Sequence, residues 1–568
     1  MYFGFVKNVN CNASPFFNPP TKEIVTIPNS SPARIRWWPF LVILTSSVVA
    51  LFVIWSINAP NRQDQVMQTM AVLGIALVCI LLWLVFFSRL RSRTRGFIAA
   101  ALIVIAAASA ALFRIRGFSG DLIPIVELRQ SQPPALLPPS SSIATPKEIA
   151  PTSPDTSEVK SAPQTSLEAP KKTVAHTRAP ALNYPQFLGP ERNAIVREIK
   201  LARDWQAQPP RLVWRKQVGA GWSAFAVFNN HAITQEQHGE HETVVCYDLP
   251  TGARQWQHRD STKFESPLVG NGPRATPTIS DGRVYTFGAT GRLNCLELSS
   301  GKLLWTRDVL AENAGENRQW GMSISPLVCD SLVLVSTAGR NDNALAAYHA
   351  LTGALVWRAG NEATAYSSPM LATIANASQV LIFHHAKLVA HAPATGARLW
   401  EQAWSSETEC VAQPLVLPEG RVFVSSGYGI GCKLFQISRD EQNHWRSALI
   451  WESTSLKAKF ANVVAREGFV YGLDDGILAC IDLANGARQW KRGRYGHGQL
   501  ILIDDLLLIQ AESGEVFLVE ANPEAHVELG KFTAFESKTW NNPAFAAPYL
   551  LVRNDREAAC YELTLARE

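Results

Sequence analysis

Residues 244–256 read VVCYDLPTGARQW, and the phrase returns as LNCLELSSGKLLW (293–305), LAAYHALTGALVW (345–357), LVAHAPATGARLW (388–400) and LACIDLANGARQW (478–490). Each copy opens on a strand-like run, passes through a turn such as P-T-G or A-N-G, and ends in tryptophan. The glycine at the fixed turn position (Gly252, Gly301, Gly353, Gly396, Gly486) suits a hairpin loop that needs positive φ. The phrase is therefore a β-hairpin. Two more strand-like runs precede each copy, as TPTISDG and RVYTFGA precede LNCLELSSG. Four strands per repeat make one propeller blade.

Working outward, the terminal tryptophans fall at 256, 305, 357, 400, 451 (in a diverged copy) and 490. Their spacing is near the roughly 40–45 residues of a four-stranded blade. A seventh copy, GEVFLVEANPEAHVEL, lacks both the Trp and the Gly. After it, AFAAPYLLVRNDREAACYEL supplies three strands, and PPRLVWRKQVG, with Trp214, offers the missing fourth from far upstream. A blade sewn from both ends leaves no open sheet edge. The expected fold is all-β, an eight-bladed propeller closed by an N-terminal strand. The repeated Trp reads as a spacer between blades. Cys246, Cys295, Cys480 and Cys560, which recur at one position of the phrase, read as small buried apolar residues.

The first third of the chain has a different composition. Residues 37–57 and 70–88 contain no charged side chain and are long enough to span a bilayer; 96–113 is shorter, Ala-rich and also uncharged. The domain reading is a cytoplasmic N-terminal segment (1–36), an anchor of three transmembrane helices (37–116), a Pro/Ser/Ala-rich disordered linker (117–183) and the propeller (184–568). Lys7, Lys22, Arg34 and Arg36 precede the first apolar run, and Arg89, Arg91, Arg93 and Arg95 crowd the loop before the third. By the positive-inside rule these lie in the cytoplasm and the propeller lies outside the cytoplasmic membrane. Arg114 and Arg116 run against that rule. Residues 1–130 carry 12 Lys/Arg against 4 Asp/Glu, which leaves −3 of the whole-chain +5 for the remainder. The basic balance marks an anchor, and no nucleic-acid partner is expected. The nine cysteines include no CxxC, so neither a disulfide framework nor a zinc site is indicated.

The repeat, as YDLPTGARQW, LELSSGKLLW and IDLANGARQW, resembles the propeller repeat of the pyrroloquinoline quinone (PQQ) family. YPQFLGPERNAIV (184–196) looks like the entry motif of bacterial PQQ-like propeller repeat proteins, and GWSAFAV, GPRATPTI, AQPLVL, SSGYGIGC, RYGHGQL and RNDREAACYEL resemble them too. The resemblance covers about residues 184–566. It implies the eight-bladed fold and two functional classes: quinoprotein dehydrogenases, and BamB-like outer-membrane assembly lipoproteins that bind partner proteins. The enzymes place a vicinal Cys–Cys disulfide against the quinone and hold Ca²⁺ with Glu, Asn and Asp beside a catalytic Asp. This chain has no two adjacent cysteines, and no such carboxylate set is recognisable. No catalytic residue and no metal ligand is singled out. His384 and His385 are adjacent on a strand and point to opposite faces.

In a propeller the residues just before each innermost strand converge on one mouth of the central channel. In this chain those segments are GWSAF, PRATP, SISP, YSSP, VAQP, AKFAN, GHGQ and TWNNP. They bring together Trp222, Arg274, Ser323, Tyr366, Gln413 and Lys459, then Asn462, His497, Gln499, Trp540 and Asn542, as the expected ligand-binding set. Small polar residues before Pro can instead serve as turn caps. Cations beside flat aromatic rings suit a planar anion, such as a tricarboxylate like PQQ, or a partner's acidic loop. The functional expectation is a membrane-anchored binding or scaffold module for a protein or small anionic ligand; the alternative is a PQQ-dependent membrane oxidoreductase with PQQ and Ca²⁺ as cofactors.

Overall fold

The computed structural model describes residues 35–56, 62–129, 183–339, 341–362, 364–404 and 409–566. The N-terminal segment read over 1–36, except its last two residues, and most of the linker read over 117–183 lie outside them. The chain divides into two compact units, residues 1–52 with 71–107, and residues 53–70 with 108–568.

Three helices, α1 (Trp38–Ser56), α2 (Arg62–Leu82, continued by a π-turn at Trp83–Phe87) and α3 (Ser92–Leu112), are long and apolar enough to cross a membrane. The second starts earlier than the apolar run from residue 70, because Arg62–Gln65 are competent helix formers with Asp64 in the first turn. Directly after α3, β1 (Phe113–Phe118) pairs antiparallel with β2 (Pro124–Leu128) around a Ser119–Ile123 turn. This hairpin corrects the expectation that the linker begins at 117. Alternating β-formers, RIRGF and PIVEL, flank a Ser-Gly-Asp turn, so the segment has a strand period that its Pro-rich surroundings obscure.

The propeller has the expected eight blades. Seven consist of consecutive antiparallel strands, from Ala226–Asp260 (blade 1) to Gln499–Thr533 (blade 7). Blade 8 joins three C-terminal strands (Ala544–Ala546, Tyr549–Arg553, Glu557–Glu562) to β4 (Arg211–Gln217), with Trp214 opposite Cys560. The first strands of blades 8, 1, 2, 3 and 4 contact one another in succession, which makes the first strand of each blade the innermost. A two-residue strand, β3 (Ile195–Val196), lies parallel to the innermost strand of blade 7.

The recurrent phrase is an interblade staple. The indole N–H of Trp214, Trp256, Trp305, Trp357, Trp451 and Trp490 donates at 2.8–3.0 Å to a backbone carbonyl in the next blade's hairpin turn. Five of those rings lie against the turn glycine itself: a Cβ on Gly252, Gly301, Gly353, Gly396 or Gly486 would stand 2.3–2.7 Å from an indole atom, and each φ is between 67° and 73°. Glycine is required twice over, for the left-handed turn and for the close approach. Trp400 departs from the pattern and donates to Gln379 Oε1 at 2.6 Å. Cys246, Cys295, Cys480 and Cys560 are fully buried, each directly opposite its blade's Trp across the strand pair. A small residue there leaves room for the indole.

The entry motif at 184–196 lies inside the ring. Tyr184 exchanges backbone hydrogen bonds with Val227 of blade 1, and Pro185 O accepts from Ile279 N of blade 2 at 2.8 Å. The buried Arg192 guanidinium donates to Pro326 O (2.9 Å) and Ser325 O (3.0 Å) of blade 3, and Ala194 O accepts from Leu502 N of blade 7 at 2.9 Å. Contacts with blades on different sides of the ring mean that the segment crosses the channel and obstructs it.

Candidate functional site

The channel mouth opens into a cavity of 460 Å³, and Phe187 of the crossing segment contributes to its lining. Nine of the eleven expected residues line it: Trp222, Arg274, Ser323, Tyr366, Lys459, Asn462, Gln499, Trp540 and Asn542. Gln413 and His497 do not, although both are buried beside it. The walls are aromatic. Trp222 and Trp540 lie 5.0 Å apart by ring centroids, and Phe460 packs against Trp540 at 5.3 Å. Trp320 and Tyr428 also line the cavity.

The small polar residues before each proline are mostly structural. Thr276 N donates to Ser325 Oγ (2.9 Å), Ser325 N to Ser368 Oγ (2.9 Å), Ser368 N to Gln413 Oε1 (2.9 Å) and Gln413 N to Asn462 Oδ1 (2.9 Å). From blade 2 to blade 6, each blade's backbone thus binds a side chain of the next, in a belt along that part of the mouth. That belt explains why Gln413 turns away from the cavity, and it shows Asn462 serving the ring as well as lining the wall.

The cations are also engaged. Arg274 donates to the backbone carbonyls of Gly270 (2.7 Å) and Gly272 and lies over Phe264 at 4.5 Å, so it holds its own loop. Burial lowers its pKa to about 10. Lys459 donates to Gln63 Oε1 and to Gly120 O (2.6 Å), and burial lowers its pKa despite nearby carboxylates. His497 Nε2 meets Asp121 Oδ1 at 2.9 Å. The partners of Lys459 and His497 thus come from the β1–β2 turn and the start of α2. Asp121 also pairs with Arg62 at 3.3 Å. Burial would raise the Asp121 pKa, but the hydrogen bond from His497 and the charges of His497, Lys459 and Arg62 hold it below the usual carboxylate value.

Sequence reasoning missed Lys538, Glu512 and Glu409. Lys538 Nζ lies 3.9 Å over the Trp540 ring and 5.0 Å over Trp222, donates to Phe118 O at 3.2 Å, and has its pKa lowered by burial to about 8. Glu512 accepts from Gly120 N (2.6 Å), Trp540 Nε1 (2.8 Å) and His497 N (3.0 Å). Glu409 is paired with Arg318 at 2.9 Å. All three lie outside the aligned segments, Lys538 immediately before TWNNP and Glu409 two residues before VAQP.

Behind the mouth, the buried Glu242 carboxylate accepts from Ala289 N at 3.1 and 3.2 Å, and burial raises its pKa to about 8. A carboxyl protonated more tightly when folded contributes stability that is complete below its unfolded pKa and is lost as pH rises through the folded one. Stability should therefore fall as pH rises from about 4.5 to about 8 and level off above that, by an amount on the order of 4 kcal/mol, with the melting temperature falling over the same window. Glu242→Gln should flatten that slope in a thermal melt series.

A calcium-held quinone would find only part of its site here. Trp222, Trp540 and the lysines suit a flat polyanion. However, no group of three or more His, Cys, Asp or Glu gathers to hold a metal ion among the described residues, and Glu409 and Glu512 are already committed. No two of the described cysteines are adjacent in the sequence.

Eight four-stranded blades, most of them stapled by a Trp side chain, with a motif segment across the channel, make this domain an eight-bladed β-propeller. The family model described as outer membrane protein assembly factor BamB matches residues 240–522. Among solved structures, BamB from Moraxella catarrhalis is similar at 15% identity over 63% of this chain and 99% of that one (TM-score 0.47). Quinohemoprotein alcohol dehydrogenase from Comamonas testosteroni is similar at 12% identity over 68% and 81% (TM-score 0.49), and a europium-containing methanol dehydrogenase at 11% over 67% and 98% (TM-score 0.43). Likenesses at this level do not bear on function. No curated protein matches the chain.

Proposed function

We propose that this protein is a membrane-anchored, extracytoplasmic propeller that binds a protein partner or a small anionic ligand at its channel mouth and catalyses nothing. The observation that carries this reading is the mouth itself. It is an aromatic-walled cavity whose lysines, Lys459 and Lys538, find acceptors in the backbone of a turn that carries Asp121, which is how a binding site is complemented. The topology has support from the same place. Residues at the start of α2 (Arg62, Gln63) and the hairpin after α3 contact one mouth, as they must if both follow outward crossings. Arg114 and Arg116, which run against the positive-inside rule, are neutralised there: Arg114 by Glu127 (3.6 Å), and Arg116 by Glu127 (3.1 Å) and Asp555 (2.7 Å).

Alkaline phosphatase fused after residue 180 should be active, and fused after Arg95 inactive; the reverse would overturn the topology. A PQQ-dependent oxidoreductase is the second reading, favoured by the flat aromatic walls. Adding PQQ and Ca²⁺ to the detergent-solubilised chain decides between the two. A bound-quinone absorbance with substrate-dependent dye reduction would displace the non-catalytic reading, and no spectral change would retain it.

A further inference from the structure

We infer that the mouth is a masked anion site, and that the chain's own turn, residues 118–122, is the ligand that masks it. The turn presents three acceptors to three donors: Asp121 Oδ1 to His497 (2.9 Å), Gly120 O to Lys459 (2.6 Å) and Phe118 O to Lys538 (3.2 Å). Glu512 fastens the turn from the other side through Gly120 N at 2.6 Å. Ser119, Gly120 and Leu122 line the same cavity as Trp222 and Trp540, so the turn covers the aromatic walls as well.

The fit leaves no slack. A Cβ on Gly120 would stand 2.2 Å from His497 Cδ2, and that imidazole is held between Asp121 and the Phe460 ring, 5.0 Å away by centroids. Only glycine lets the turn seat. When it lifts, Lys459 and Lys538 lose backbone acceptors and His497 loses its carboxylate, beside two indole faces. A ligand that replaces the turn must bring a carboxylate to His497 and further anionic oxygens to the lysines, on a body flat enough to lie along Trp222 and Trp540. The ligand class is therefore an aromatic or otherwise planar polycarboxylate. An acidic turn supplied in trans by another protein is the competing outcome.

The mask also connects the site to the anchor. No residue separates the end of α3 from β1, so a ligand that displaces the turn acts on a hairpin joined directly to an apolar helix. The affinity observed in the intact chain is reduced by the fraction of molecules with the turn docked.

The inference rests on the mouth being a binding site, and the test separates the two. In the full chain in detergent, Gly120→Ala should prevent docking, whereas Gly117→Ala should not, since its nearest contact would be Lys538 Nζ at 3.5 Å. Without ligand, hydrogen exchange at 116–127 should quicken about tenfold or more in Gly120→Ala and stay at wild-type rates in Gly117→Ala. Benzene-1,3,5-tricarboxylate, followed by tryptophan fluorescence, should bind Gly120→Ala at least about tenfold more tightly than wild type. Adding Lys459→Ala and Lys538→Ala should abolish that binding. Unchanged exchange in Gly120→Ala, or equal tricarboxylate affinity in wild type and Gly120→Ala, overturns the mask and leaves the mouth reading intact. Faster exchange without binding of either the tricarboxylate or an acidic turn peptide overturns the anion site and the mouth reading with it. Binding only of an acidic turn peptide, and not of the tricarboxylate, overturns the assigned ligand class.

Discussion

Arg553→Ala should prevent the ring from closing and leave little soluble, cooperatively folding protein. The Arg553 side chain is fully buried where blade 8 meets blade 1. Its guanidinium donates to Thr234 Oγ1 (2.6 Å), Gln235 O (2.9 Å), Gly219 O (3.1 Å) and Gly221 O (3.4 Å), which ties the chain leaving β4 to blade 1. Its charge also faces the buried Glu236, which accepts from Gly219 N at 2.8 Å and Tyr247 OH at 2.7 Å. Alanine would strand several buried acceptors and a buried carboxylate at once. Removing one partner of such an arrangement costs about 3–5 kcal/mol, a large share of the roughly 5–15 kcal/mol available to a folded domain. Urea denaturation of the full chain measures it. A midpoint within error of wild type would show that the closure does not depend on this side chain. Adding Glu236→Gln should recover part of the loss, because the stranded charge is then gone.

Deleting residues 207–218 should produce aggregation. The deletion removes β4 and leaves the strand Glu557–Glu562 as an open edge with unpaired backbone groups. It also removes Trp214, whose indole bonds Leu249 O at 2.8 Å and covers Gly252 of blade 1. Loss of a buried tryptophan alone costs about 3–5 kcal/mol. Size-exclusion chromatography of the purified deletion should show soluble aggregate or nothing. A monodisperse, cooperatively melting species would mean that three strands suffice to finish blade 8.

The mouth was only partly legible. The alignment of segments before each innermost strand located nine cavity residues, because propeller symmetry places equivalent positions at equivalent radii. Side-chain direction does not follow from that symmetry. Gln413 belongs to the interblade belt, and Arg274 is committed to its own loop carbonyls, although both occupy positions expected to face a ligand. A lone cation in a sequence carries no record of which acceptor it will meet.

What the sequence determined by itself was everything that repeats: the strand pairs, the glycine turns, the terminal tryptophans, the count of eight blades and the closure through Trp214. These arise from contacts within a blade or between one blade and the next, so they recur at a fixed spacing and show as a period. The three apolar helices were legible for a similar reason, since length and composition suffice to define them. Only the tertiary structure decided how the channel and its mouth are filled. The entry motif crosses the channel axis, and Gly120 reaches Lys459 across 339 residues of chain. Such contacts occur once, join elements with no shared period, and depend on an exact fit of backbone to side chain that appears only when the ring has closed.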